Sequence, residues 1–205
     1  MARKCNPYKS LKIEGLKFQS KFKLFSSNLL EDNSVYILCQ LILSFMKNPK
    51  IFYLMRHGEA DAGFGMSGDA VRPLTTNGKS HVFRVAQVLK KDVVQFDRIL
   101  CSPAVRTRQT TSILTSELPA KNIQYEEKIY EADPDTLFRL INQVENEVNH
   151  LAMVGHNPGI SGLLTYLTGD RYISLQPGML AIIEIQVDEW KEVGRNTGIL
   201  KEILQ

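Results

Sequence analysis

The sequence predicts an α/β fold: a mostly parallel central sheet with helices on both faces and an antiparallel C-terminal edge. Three observations carry that expectation. Between residues 50 and 170, short apolar runs alternate with segments of helical periodicity, the pattern of strands joined by crossover helices. The runs are continuously apolar, as in Ile51-Phe52-Tyr53-Leu54-Met55 and Leu151-Ala152-Met153-Val154, which is how strands covered on both faces read. After residue 180 the pattern changes to two alternating segments, Leu180 to Val187 and Gly198 to Leu204, with a ten-residue turn region holding Trp190 between them. Such a pair reads as an antiparallel edge.

The first strand, from Lys50, ends abruptly in Arg56-His57-Gly58, where glycine permits a sharp turn. Gly63-Phe64-Gly65-Met66-Ser67-Gly68 follows and formally matches a dinucleotide-binding fingerprint. Its glycines trail the strand by several residues and lead into Arg72-Pro73 rather than a helix, so it reads as a loop bordering the site. Thr75, Thr76 and Asn77 offer caps for a helix over 76–90, with Val82, Val85, Ala86 and Leu89 on one face. Asp97 to Cys101 is a second strand, and Ser102-Pro103 starts a helix in which proline takes the first turn; it continues to Leu118 and stops before Pro119. Residues 122–125 read as a brief strand. Asp133-Pro134 caps a helix with Leu137, Leu140, Ile141 and Val144 inward. His150 to Val154 is a strand ending in Gly155-His156, then Asn157 as cap and Pro158 as first residue open a helix to Leu167, closed by Gly169.

The chain has 205 residues, 43% apolar and 23% charged, enough for one well-buried domain and an appendage. Its net charge of +3 is concentrated at the start, where residues 1–45 carry seven Lys/Arg and three Asp/Glu. The remainder is nearly neutral and has no basic cluster, so a nucleic-acid partner is not expected. Cys5, Cys39 and Cys101 show no Cys-x-x-Cys spacing, which implies neither a disulfide framework nor a zinc site and fits a reducing cytoplasm. The apolar run Val35–Phe45 is too short to span a bilayer, and no small-x-small cleavage site follows it. Met46-Lys47-Asn48-Pro49 stands directly before the first strand. Residues 1–45 are therefore expected to be an extension outside the main fold, the alternatives being an accessory helix or arm, or a signal or anchor segment.

Three strands deliver Arg56-His57, Ser102 to Arg106, and His156 to one edge of one sheet, the carboxyl edge where open α/β sheets bind ligands. Two arginines and two histidines there suit a phosphoryl group, because guanidinium offers a planar fork of donors and a helix amino end adds backbone N–H groups. Arg72 adds a third guanidinium. A neutral imidazole nitrogen is a competent nucleophile toward phosphorus, and neighbouring arginines keep it unprotonated. No cluster of metal ligands is visible, so the chemistry is expected to need neither metal nor cofactor.

Four motifs together resemble the histidine phosphatase superfamily, and within it the short bacterial phosphohistidine phosphatases of the SixA type. They are Met55-Arg56-His57-Gly58-Glu59-Ala60, Val71-Arg72-Pro73-Leu74-Thr75-Thr76-Asn77-Gly78, Ser102-Pro103-Ala104-Val105-Arg106-Thr107-Arg108-Gln109-Thr110 and Gly155-His156-Asn157-Pro158. The resemblance runs from about Lys50 to the C-terminus. It implies a phosphoglycerate mutase-like fold, a catalytic domain over 46–205, His57 as nucleophile and Arg56, Arg106 and His156 as phosphate pocket, with Arg72 alongside. Glu131 or Asp69 is implied as proton donor, Glu131 standing where most of the superfamily keeps its acid. His81 and His150 match no motif. The implied partner is a phosphorylated protein, such as a histidine-containing phosphotransfer domain, or else a small phosphoester. Small-phosphoester relatives typically insert a helical cap near the acid, and the 24 residues between Glu131 and His156 are already filled by one helix and one strand. A silent phospho-partner binding module is the third possibility, though such modules usually lack the nucleophile or an arginine.

Overall fold

Phe52, Tyr53, Leu54 and Met55 are all at most 3% exposed, so β1 (Lys50–Arg56) lies inside the sheet, covered on both faces. The computed structural model describes residues 49–62, 68–171 and 173–205. In it β1 pairs in parallel with β4 (His150–Gly155) and antiparallel with β5 (Leu180–Ile185). Beyond β4 come β2 (Arg98–Cys101) and the exposed edge strand β3 (Ile123–Tyr125), both parallel; beyond β5, β6 (Gly198–Leu204) forms the antiparallel edge. The six strands thus run in the order β3-β2-β4-β1-β5-β6.

Side chains alternate across a strand, so each central strand feeds two cores. Tyr53, Met55, Ala152 and Val154 pack under α1 (Thr76–Lys91) and α2 (Val105–Glu117). Phe52, Leu54, Leu151 and Met153 pack on the opposite face under α3 (Pro134–Ile141) and α4 (Gly159–Thr168). Trp190 completes that second core. It is fully buried, its Nε1–H donates to the Val148 carbonyl at 2.8 Å, and its ring meets Phe52 edge-on.

Local signals set most helix ends. The Thr75 hydroxyl accepts the Gly78 N–H at 2.9 Å, the Asp133 carboxylate accepts the Thr136 N–H at 2.6 Å, and Gly169 ends α4 at φ 80°. Two starts differ from expectation. α2 begins at Val105 rather than at Ser102-Pro103, because the Ser102 hydroxyl is buried against His156 and does not cap the helix. α4 begins at Gly159 rather than Pro158, which follows a cis peptide bond. Asn157 instead accepts from the Ser161 N–H and hydroxyl, and its amide donates to the Leu175 carbonyl. Asp97 is likewise outside β2: its carboxylate accepts the N–H groups of Asn149 and His150, tying the starts of β2 and β4 together. The expectations for residues 1–45, the start at Met46 and the glycines at 63 and 65 lie outside the described residues.

Gly58 is needed for closeness rather than for a left-handed turn: it is absent from the positive-φ glycines, and a Cβ there would lie 2.9 Å from Val82 Cγ2. The tighter constraint is Gly78 in the first turn of α1, where a Cβ would lie 2.2 Å from the Glu59 carbonyl oxygen. That contact holds α1 against the chain leaving β1. Alanine normally favours a helix over glycine by about 0.5–1 kcal/mol, but this overlap with backbone reverses the sign. Gly78→Ala is expected to lower stability by about 1–3 kcal/mol, measured as a shift in the midpoint of chemical denaturation. An unchanged midpoint would show that the chain at Glu59 yields freely.

Candidate active site

β1 ends at Arg56, and His57 is the next residue. Its backbone N–H donates to the Gly155 carbonyl at 3.1 Å, continuing the pairing with β4 past the strand's formal end. Its ring Nδ1 lies 2.7 Å from the Gly58 carbonyl oxygen, which can only accept, so Nδ1 carries the ring proton and Nε2 presents a lone pair. The Gly58 N–H is held at 3.1 Å by the Thr110 hydroxyl of α2. Arg106, in the first turn of α2, donates from Nε to His57 Nε2 at 3.2 Å. Its other two nitrogens donate to the Asp69 backbone carbonyl and to Asp69 Oδ2, both at 2.7 Å.

Asp69 begins a single 3-10 turn over Asp69–Val71 and gathers three partners. Besides Arg106 it accepts from Arg72 at 2.7 Å and from the Tyr130 hydroxyl at 3.0 Å. Tyr130 in turn sets its ring edge-on to His156, with centroids 5.4 Å apart, and lies under the Arg106 guanidinium. The rings of His57 and His156 are 5.0 Å apart. His156 Nε2 is 2.8 Å from the Ser102 hydroxyl, and a terminal nitrogen of Arg56 donates to the Leu175 carbonyl at 3.0 Å.

The electrostatics follow from burial of like charge. Desolvation pushes the His57 pKa down to about 4, assisted by Arg106, Arg56 and Arg72 and partly opposed by the Gly58 carbonyl. Desolvation and the charge of Arg106 push His156 down to about 3. Both imidazoles are therefore neutral at pH 7. The Asp69 pKa is lowered too, but here the charged form is favoured: hydrogen bonds from Arg72, Arg106 and Tyr130 hold its carboxyl down at about 2, ionised. Three buried side-chain nitrogens have no hydrogen-bond partner among the described residues: Arg56 Nε and His156 Nδ1 at the site, and Arg98 Nε at the start of β2. Buried polar groups are normally satisfied, and an unmet one costs about 1–3 kcal/mol. A tetrahedral oxyanion would supply acceptors to such groups.

The structure thus brings together His57, His156, Arg106 and Asp69, with Arg72 joined through Asp69 and Arg56 close enough to lower the His57 pKa. Glu131 is not among them. It is exposed at φ 51°, and its charge reaches Tyr130 but its side chain makes no hydrogen bond to the site. Of the two carboxylates expected as proton donor, Asp69 is the one hydrogen-bonded to Arg106. Ser102, Thr110 and Tyr130 have no role at the site assigned from sequence. The first two lie inside the 102–110 motif and Tyr130 adjoins Glu131, whereas nothing local marks the Leu175 carbonyl. Of the two unmatched histidines, His150 Nδ1 pairs with Tyr53 at the opposite end of β4, and His81 packs against Gly178. No group of three His, Cys, Asp or Glu among the described residues is placed to hold a metal ion, and no helix among them is long and apolar enough to cross a membrane.

A helix-covered sheet with two neutral histidines and a paired arginine at its carboxyl edge defines a class of α/β proteins built to handle a small anion. The chain belongs to the histidine phosphatase superfamily (branch 1), whose family model matches residues 52–159. An uncharacterized protein of Mycobacterium leprae is 32% identical over 118 residues, 56% of this chain and 71% of that protein. Phosphohistidine phosphatase SixA of Escherichia coli is 45% identical over a shorter stretch of 58 residues, 28% of this chain and 35% of that protein. Among solved structures, the protein histidine phosphatase SixA complexed with tungstate superposes with a TM-score of 0.65 at 23% identity, covering 75% of this chain and 96% of that one. The alpha-ribazole phosphatase of Shigella flexneri reaches 0.54 at 21% identity, covering 76% and 96%. These two likenesses establish the shared fold.

The depressed histidines have a thermodynamic consequence. Each is neutral in the fold down to about pH 4 and 3, whereas an unfolded histidine protonates near 6.5. As pH falls below about 6.5 the unfolded chain binds protons that the fold refuses, so the two residues progressively destabilise the fold; above that pH they contribute nothing differential. We expect NMR titration of His57 and His156 to give midpoints well below 6.5. A midpoint near 6.5 for either would show that the ring is solvated.

Proposed function

We propose that this protein is a phosphatase that works through a covalent phosphohistidine on His57 and removes phosphate from phosphohistidine on a protein. The observation that carries the first half is the Nδ1–H bond to the Gly58 carbonyl, which leaves Nε2 as a lone pair beside Arg106. In the first step His57 Nε2 attacks phosphorus, the bond from phosphorus to the substrate's nitrogen breaks, and that nitrogen takes a proton from solvent water. In the second step water attacks phosphorus, the bond to Nε2 breaks, and inorganic phosphate leaves. Arg56, Arg106 and His156 supply donors to the phosphoryl oxygens, with Arg72 holding Asp69.

Asp69, ionised in the resting site, fits the second step, in which a base takes a proton from the attacking water. The first step asks less of an acid when the leaving group is imidazole, whose ordinary pKa of about 6.5 makes it a good leaving group once protonated. That asymmetry favours phosphohistidine over an alcohol phosphate as substrate. A protein substrate is favoured by openness: between Glu131 and His156 the chain forms only α3 and β4, and no cap is inserted there. The Asp69 and Arg72 side chains at the rim remain 44% and 31% exposed. Small substrates are usually held in concave sites that bury most of their surface, whereas a protein brings its own binding surface and can spend remote contacts on orienting the reacting atoms.

Three outcomes are expected. Wild-type protein traps acid-labile phosphate and His57→Ala does not; equal labelling of both would remove His57 as nucleophile. Arg106→Ala loses about 3 kcal/mol of transition-state stabilisation, or about 100-fold in rate, and a loss under tenfold would count against its role. Finally, kcat/KM for a phosphorylated histidine-phosphotransfer domain exceeds that for free phosphohistidine and for sugar phosphates. A sugar phosphate preferred by about tenfold, equivalent to about 1.4 kcal/mol, would make the protein a small-phosphoester phosphatase instead.

A further inference from the structure

A neutral imidazole has one N–H to give, and which nitrogen bears it decides what the ring can do. We infer that Ser102 fixes His156 in the tautomer that carries its proton on Nδ1, which makes Ser102 a positioning residue acting through His156. Its use in catalysis rests on the phosphoryl-pocket reading above; the tautomer itself follows from hydrogen-bond accounting.

His156 is 7% exposed and Ser102 is fully buried, so neither has ready access to solvent. Burial and the charge of Arg106 hold the ring in its neutral form at pH 7, one nitrogen a donor and the other an acceptor. Nε2 lies 2.8 Å from Ser102 Oγ. The only other partner of that oxygen among the described residues is the Ala104 N–H at 3.4 Å, which can only donate. Among the described residues the hydroxyl hydrogen therefore has a single acceptor within reach, His156 Nε2. Were the proton on Nε2 instead, the buried hydroxyl hydrogen would have no acceptor and Nδ1 would be a buried lone pair without a donor. With the proton on Nδ1 a single group is unmet, the Nδ1–H itself. Folded proteins keep such unmet groups few, so the second arrangement wins.

Ser102 is itself pinned. Its backbone N–H donates to the Val154 carbonyl at 3.1 Å, extending the β2 to β4 pairing by one residue, and its carbonyl accepts from the Thr107 hydroxyl at 2.8 Å. The two site histidines then share one tautomer and play opposite parts. His57 spends its N–H on a backbone carbonyl and presents a lone pair, as a nucleophile must. His156 spends its lone pair on a hydroxyl and presents an N–H, as a donor to an oxyanion must.

The test is long-range 1H–15N correlation spectroscopy of the full chain labelled with 15N-histidine at pH 7, with His156 assigned by the signals missing from His156→Gln. The expected spectrum shows Nδ1 protonated and Nε2 as acceptor, shifting toward protonated Nε2 in Ser102→Ala. A wild-type His156 protonated on Nε2 or on both nitrogens overturns the inference, as does an unchanged tautomer in Ser102→Ala. If Ser102→Ala does not fold, the wild-type spectrum alone decides. Turnover is the second readout: Ser102→Ala is expected to lower kcat by about tenfold or more, and kcat within about twofold of wild type would remove Ser102 from any catalytic support. The tautomer is read without substrate, so a failure of the His57 chemistry and a failure of this inference are seen separately.

Discussion

The parallel pairing of β1 with β4 is the constraint on which the site depends. Arg56 stands opposite Gly155, and the His57 N–H reaches the Gly155 carbonyl, so the next residues outward on the two strands are both histidines. Because strand side chains alternate with a period of two, a slip of one residue would turn every core side chain of β1 to the wrong face. Phe52 and Leu54 belong to one core and Tyr53 and Met55 to the other, all essentially without exposure, so register is specified from both sides of the sheet. The 5.0 Å approach of the two imidazoles is a by-product of that packing. Core apolar burial thus supplies the positional accuracy that the site requires.

With backbone positions set, charge is managed by pairing. Arg106 is only 6% exposed, and a buried guanidinium is costly unless its donors are met. Each of its three nitrogens has an acceptor, Asp69 for two and His57 Nε2 for the third, while Arg72 and Tyr130 hold Asp69 in place. In the proposed reaction a phosphoryl group would take over acceptor duty from Asp69 and release the lone pair of His57. One anion then replaces another, and the arginine stays paired throughout. Asp69 and Arg72 lie at the exposed rim, where such an exchange requires no rearrangement of the core.

The support for the site is spread over elements distant in sequence. Thr110 of α2 fixes the Gly58 amide, the Leu175 carbonyl receives both Arg56 and Asn157, and Gly78 of α1 lies against the backbone of Glu59. These contacts explain why Gly78 and Thr110, within the four motifs, are small or hydroxylic without touching the reacting groups. They set spacing between backbone segments, and one methyl group in the wrong place would move the histidine loop.

Much was legible in the chain alone. The continuous apolar run before Arg56-His57, its echo before Gly155-His156, and the change to alternating segments after residue 180 were sufficient for a mostly parallel sheet with an antiparallel edge, because hydrophobic period and burial are coupled locally. The motifs likewise pointed to His57, His156, Arg56 and Arg106, which the fold places near one another. Which carboxylate reaches Arg106 was not legible: Asp69 and Glu131 are equally plausible as residue types, and only folding puts Asp69 against Arg106 and Tyr130 while Glu131 points to solvent. The start of α2 was missed for a related reason, since Ser102 has the chemistry of a cap but His156 claims its hydroxyl. Asn157 does serve the first turn of α4 by accepting the Ser161 N–H, yet the helix opens only at Gly159. Local sequence determined the elements and the residue types that carry charge. Hydrogen-bond partners were decided by the tertiary structure, because a buried polar group binds whatever the packed chain brings within three ångströms or so, and that choice depends on residues far away along the sequence.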